Sequence, residues 1–221
     1  GFIQWDKSEC TSLDILDGDD ERGDVELEMG TITSISKARD NSVEVVLKDG
    51  TVRYLDGSND VSSSNRGIMI EVAELGRVTV PWNRFDNINF SEGRGSGPGR
   101  ETYANSGPIQ GTVELGDGRA LSGRLVFDLD EAWHWDVFNG QTVAGLEYDI
   151  PFSCIARIEP SEDNYGGKIS SRVALRSGLV LMLGENQDTG PKNAGMLVFE
   201  TEDSDPEHLP WNRIRSIEFL P

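Results

Sequence analysis

"VVLKDGTVRYLDGSNDVSSSNRGIMIE" (45–71) decides the fold, because it is spelled again as "VALRSGLVLMLGENQDTGPKNAGMLVF" (173–199), 128 residues on and without a gap. Val45, Leu47, Gly50, Val52, Leu55, Asp60, Asn65 and Gly67 meet the same residues at Val173, Leu175, Gly178, Val180, Leu183, Asp188, Asn193 and Gly195. Within each copy, apolar residues alternate on either side of Asp-Gly or Ser-Gly. That pattern is a strong short-range signal for a β-hairpin.

The repeat extends in both directions. "VPWNRFDNINF" (80–90) falls on "LPWNRIRSIEF" (209–219), and "GFIQWDKSECTSLDILDG" (1–18) falls on "GRLVFDLDEAWHWDVFNG" (123–140). The offset moves only from 122 to 129 over the whole half, so the chain reads as one duplicated unit. Two further segments, "LEMGTITSI" (27–35) and "IPFSCIARIEP" (150–160), end like the Pro-Trp-Asn-Arg stretches. Each predicts a strand, one 3₁₀ turn and a closing strand with apolar residues three apart. The expected class is all-β, a tandem duplication with two small units per half: about 1–37 and 43–90, then about 108–160 and 171–221. "SEGRGSGPGRETYANSG" (91–107) is rich in Gly and Ser and is expected to be a mobile linker.

"IQGTVELGDGRALS" (109–122) precedes Gly123 but has no counterpart before Gly1. The first half is therefore expected to lack an N-terminal hairpin, which would leave a sheet edge open. Either residues upstream of Gly1 fill it, the favoured expectation, or a strand from another chain does, which would make a self-associating subunit.

"VELGDGRALSGRLVFDLDEAWHWDVFNG" with "YDIPFSCIARIEP" resembles a Sm-like or SH3-like small barrel. The resemblance implies the fold alone. The RNA contacts of that family use an Asn and a basic Arg-Gly, where this chain has Leu129-Asp130-Glu131 and Ser153-Cys154. The arrangement also resembles exported bacterial β-repeat proteins carrying Gly-Phe-Ile-Gln-Trp-Asp and Asp-Ile-Leu-Asp-Gly stretches, which implies a periplasmic or extracellular location.

Charge narrows the partners. With 39 acidic and 20 basic residues the net charge is −19, a field that repels nucleic acid and anionic membranes. No apolar run approaches the ~20 residues of a membrane span. Cys10 and Cys154 form no metal-ligand or redox spacing.

Chemistry-bearing residues are sparse. The two histidines, His134 and His208, give little material for a triad or a histidine metal site, so no catalytic residues are assigned and no enzyme is expected. Asp60, Asn65, Asp188 and Asn193 recur in matched loops. Turn capping is the favoured reading, with a hard-cation site such as Ca²⁺ the alternative. Asp6 with Glu9, and Asp128 with Glu131, are paired carboxylates kept in both halves. Trp133, Trp82 and Trp211 are the candidate ligand or partner contacts. Trp135, two positions after Trp133, is expected in the core, and the Trp of each Pro-Trp-Asn-Arg is expected to be mainly structural. The function these features imply is a non-catalytic structural or protein-binding module that could self-associate through a β edge, with a calcium- or carbohydrate-binding module as the alternative and an enzyme using the paired carboxylates as the last-ranked reading.

Overall fold

The computed structural model describes residues 1–91, 107–165, 168–201 and 205–221. The predicted linker lies, apart from its two end residues, outside the described residues. The chain is all-β, built from antiparallel strands and four short 3₁₀ turns. It divides into a unit formed by Gly1–Glu71 and Val78–Gly97 and a second formed by Val72–Arg77 and Pro98–Pro221. No helix among the described residues is long and apolar enough to cross a membrane.

The strands lying wholly or mainly in the first unit are β1 (Phe2–Gln4), β2 (Ile15–Asp20), β3 (Gly23–Glu28), β4 (Ile32–Arg39), β5 (Ser42–Leu47), β6 (Val52–Asp56), β7 (Ile68–Val72), β8 (Gly76–Val80) and β9 (Asn87–Asn89). One sheet runs β3-β2-β6-β5-β4-β9, while β1 pairs with β7, which neighbours β8. The hairpin β5–β6 shows why the opening stretch decides the fold. Val43 and Val45 point into the core while Glu44 faces outward and accepts a hydrogen bond from the Tyr54 hydroxyl. At the turn, the Asp49 carboxylate takes the Thr51 amide at 2.8 Å. Gly50 supplies the positive φ, +86°, that the reversal requires.

The second unit contains β10 (Gln110–Leu115), β11 (Ala120–Phe127), β12 (Val137–Gln141), β13 (Glu147–Pro151), β14 (Ile155–Tyr165), β15 (Lys168–Leu175), β16 (Val180–Gly184), β17 (Met196–Phe199), β18 (Glu207–Leu209) and β19 (Ile214–Phe219). Their order is β13-β12-β16-β15-β14-β19-β10-β11-β17-β18. The two expected pieces of this half are interleaved. Strand β11 pairs with β17 and β12 with β16, so Phe127 and Phe138 from one piece share a single core with Leu183, Val198 and Trp211 from the other. The physical reason is that each piece alone is too short to cover both faces of its own strands.

The four predicted 3₁₀ turns are present at Met29–Thr31, Trp82–Arg84, Phe152–Cys154 and Trp211–Arg213. In each, the first residue is a buried anchor and the residue after the turn donates its amide back to that anchor's carbonyl. Pro81, Pro151 and Pro210 precede three of them, where a missing amide leaves no donor unsatisfied. Trp82 and Trp211 are buried in the cores of their units. Of the three indoles named as contacts for a ligand or partner, only Trp133 is exposed.

Candidate functional site

Strand β1 runs into a tight reversal. Trp5 bridges to Glu9, whose amide donates back to the Trp5 carbonyl, while Asp6 and Lys7 take φ of +47° and +57°. This turn aims Asp6 inward, where it is buried. Its carboxylate accepts hydrogen bonds from Asn59 Nδ2 at 2.9 Å, Arg66 Nη2 at 3.0 Å and the Arg66 amide. From the opposite side comes Asp60, whose Oδ2 takes the Asp17 amide at 3.0 Å. Asp6, Glu9 and Asp60 each present a carboxylate oxygen within 4.8 Å of the others.

The second unit repeats this arrangement. Phe127 bridges to Glu131, and Asp128 and Leu129 have φ of +47° and +71°. Asp128 accepts from Gln187 Nε2 at 2.6 Å and from the Ala194 amide, and Asp188 Oδ2 takes the Asn139 amide at 2.6 Å. The sequence draws attention to the Asp6/Glu9 pair and, separately, to the Asp60 loop. Only the fold joins them, and the usable signal was that both sets recur in both halves.

The two groups differ in charge balance. Burial raises the Glu9 carboxyl above its ordinary value, the charges of Asp60 and Asp6 add to this, and the Arg66 guanidinium partly offsets it. In the second unit Ala194 aligns with Arg66, so that cation is missing. There burial, a shared hydrogen bond with Asp130 and the charge of Asp188 push Glu131 up to about 9. Burial, with the charges of Asp128 and Asp130, pushes Asp188 to about 6. In each glutamate one oxygen, Oε2, is shielded from water without a hydrogen-bond partner. Oxygen ligands of this kind suit a hard cation chemically, and protonation relieves the same repulsion.

A pH dependence follows. The folded state holds the Glu131 proton more tightly than the unfolded chain does. Its contribution to stability is therefore complete below the ordinary glutamate value of 4.5 and is lost as pH rises towards about 9. Glu131→Gln makes the neutral form permanent. Its thermal midpoint is expected to equal that of the parent near pH ~4 and to exceed it increasingly up to pH ~8. Parallel midpoint curves across that range would contradict the shift.

The Asn65 and Asn193 carboxamides are engaged in their own loops. Asn65 Nδ2 donates to the Asp60 carbonyl at 3.0 Å and its Oδ1 accepts from the Gly67 amide at 2.8 Å. Asn193 makes the same two bonds, to the Asp188 carbonyl at 3.2 Å and from Gly195 at 2.8 Å. Gly67 and Gly195 follow at positive φ, +112° and +95°. The asparagines thus hold the loop that presents each aspartate.

The segment 131–136 forms no extended strand. Asp136 Oδ2 caps the amides of Ala132 and Trp133 at 2.8 and 2.9 Å, folding the segment into a turn. Asp14 does the same for Cys10 and Thr11 in the first unit. In consequence Trp135 is not in the core. It stacks on Trp133 with ring centres 4.9 Å apart and planes 5° from parallel, and the two are 39% and 44% exposed. His134 between them is half-buried, and burial followed by the nearby charge of Arg176 lowers its pKa.

A third feature is an edge. In the second unit β10 lies between β19 and β11. In the first unit the strands aligned with those two, β9 and β1, are both terminal strands of their sheets, with no described strand between them. The register around this position is the same in both units. Phe2, Ile3 and Gln4 pair with Glu71, Ile70 and Met69, as Arg124, Leu125 and Val126 pair with Phe199, Val198 and Leu197. Where β10 covers them, Leu125, Ile217 and Phe219 are buried. The aligned Ile3, Ile88 and Phe90 are only partly buried. Strand β9 is also short, three residues against six in β19. No family model, curated protein or solved structure matches the chain.

Proposed function

We propose that the two units are copies of one fold and that the chain is a non-catalytic, structural or protein-binding β module of the periplasm or cell exterior, whose first unit takes a further strand between β9 and β1, whether from residues ahead of Gly1 or from another chain. The observation that carries this reading is the pair of terminal strands, β9 and β1, flanking the position that β10 fills in the second unit. An edge of this kind presents unpaired backbone donors and acceptors beside half-covered apolar side chains, which is the basis of recognition by strand addition. The stacked Trp133 and Trp135 support the same reading, since exposed aromatic pairs are typical of protein contacts. The scarcity of histidine supports the non-catalytic part. His208 hydrogen-bonds the Ala194 carbonyl.

Amide hydrogen exchange tests the edge. The β9 amides that β4 does not pair are expected to exchange faster than the aligned β19 amides, by a factor of at least ~100, because only β19 is flanked on both sides. Equal protection of β9 and β19 in the free chain would defeat the reading.

A further inference from the structure

We infer that Asp128, Asp130, Glu131 and Asp188 of the second unit form a surface site for a guanidinium group carried by a ligand. The site lies wholly within that unit and is independent of any strand between β9 and β1. The first unit shows what the same frame holds. There Arg66 donates from Nη2 and Nε to Asp6 Oδ2, at 3.0 and 3.2 Å, and from Nη2 to the Ser8 hydroxyl, while its amide also reaches Asp6. The guanidinium sits at the surface: the Arg66 side chain is 57% exposed, whereas the Asp6 carboxylate beneath it is buried. The charges of Glu9 and Asp60 act on it as well.

The second unit keeps the acids and exchanges the cation. Asp128, Glu131 and Asp188 align with Asp6, Glu9 and Asp60, and the backbone contact survives as the Ala194 amide donating to Asp128. Ala194 itself, aligned with Arg66, is exposed and uncharged. Asp130, also exposed, stands where Ser8 accepts from the guanidinium. A position that touches the arginine in one copy has therefore become an acid in the copy without the arginine. For the turn alone that exchange is unfavourable, because it adds like charge to a partly buried group. The charges acting most strongly on Glu131 are those of Asp188 and Asp130, and on Asp188 those of Asp128 and Asp130. Glu131 Oε2 is shielded from water without a hydrogen-bond partner. A guanidinium brings both things this group calls for, positive charge and a planar fork of donors.

A guanidinium fits this group better than a metal ion does. Among the described residues, the carboxylates whose oxygens all approach within 4.8 Å of one another are Asp6, Glu9 and Asp60, the group that already holds Arg66. The oxygens of the second unit are not drawn that close. A small hard ion, which gathers its oxygens at about 2.3–2.6 Å, is served less well there than a planar cation whose donors are spread apart. The contact that accompanies Arg66 is also in place, since Gln187 Nε2 donates to Asp128 at 2.6 Å as Asn59 Nδ2 does to Asp6 at 2.9 Å.

Methylguanidine and Nα-acetylargininamide, titrated into the intact chain and followed by backbone amide chemical shifts, test the site. Both are expected to move the signals of Ala194 and of residues 128–131 saturably, and Nα-acetyllysinamide to bind at least about fivefold more weakly. Ala194→Arg supplies the group from within and is expected to cut the affinity for either guanidine by roughly tenfold or more. Asp130→Ser restores the residue of the first unit and is expected to weaken binding about threefold. Both positions are exposed, so neither change removes a core contact. Tighter binding of the argininamide than of methylguanidine assigns the guanidinium to an arginine in a peptide, and equal or weaker binding assigns it to a free guanidine; either supports the site. Equal affinity for the lysine derivative, Ca²⁺ moving the same signals at lower concentration, or shifts undiminished in Ala194→Arg would overturn the guanidinium assignment. Signals that stay put with every probe would overturn the site itself.

Discussion

Trp5→Ala is expected to destabilise the first unit by about 3–5 kcal/mol, a large share of the stability of a domain this size. Trp5 is fully buried and meets Trp82 and Phe85 edge-on, with ring centres 6.2 and 5.2 Å away. Truncation removes the largest side chain at the centre of that core and leaves a cavity the neighbouring strands cannot close without breaking their ladders. Its indole also donates to the Asp60 carbonyl at 3.0 Å, tying the core to the loop that presents the Asp60 carboxylate. Trp5→Phe separates the two contributions. Phe127 stands at the aligned position of the second unit, so a phenyl ring fits this environment. The loss should then be about 1 kcal/mol, that of one hydrogen bond, since Asn65 still serves the same carbonyl. Urea unfolding of the two variants measures both. Equal losses would mean that ring volume contributes nothing and would refute the packing argument.

Asn193→Ala, and Asn65→Ala in the other unit, should each lower stability by about 2–4 kcal/mol. Both side chains are buried and both use their carboxamide fully, donating to one backbone carbonyl and accepting from one backbone amide. In Asn193→Ala the Asp188 carbonyl and the Gly195 amide both lose their partner away from water, whereas in Asn65→Ala the Asp60 carbonyl keeps the Trp5 indole and the Gly67 amide is the group left short, which puts that variant at the lower end of the range. The two glycines gain nothing by relaxing, because their left-handed conformation is what returns the chain to β7 and β17. The loop that weakens is the one carrying Asp60 or Asp188, so the titration of the carboxylate group should also move towards ordinary values. Variants as stable as the parent would remove the asparagine from the account of the fold.

Much of this was legible in the chain. Alternating apolar residues about Asp49-Gly50 specify a hairpin because both the side-chain period and the positive φ are local properties. Pro-Trp-Asn-Arg, followed by apolar residues three apart, specifies a 3₁₀ turn for the same reason. Trp135 was not legible. A period of two implies a strand, but the Asp136 carboxylate captures two amides and turns the segment outward. A cap by a residue three or four positions away competes with the ladder and wins where no strand lies alongside.

What the sequence determined by itself is the local alphabet: which segments extend, where they reverse, and which residues recur 122 to 129 positions apart. What only the tertiary structure decided is which segments meet. It set β11 against β17 and β12 against β16, brought Asp60 to Asp6 and Glu9, and left β9 and β1 as ends. Hairpins are chosen by a few neighbouring dihedrals, whereas long-range pairing is chosen by the burial of whole apolar faces, a quantity that belongs to no single stretch of chain.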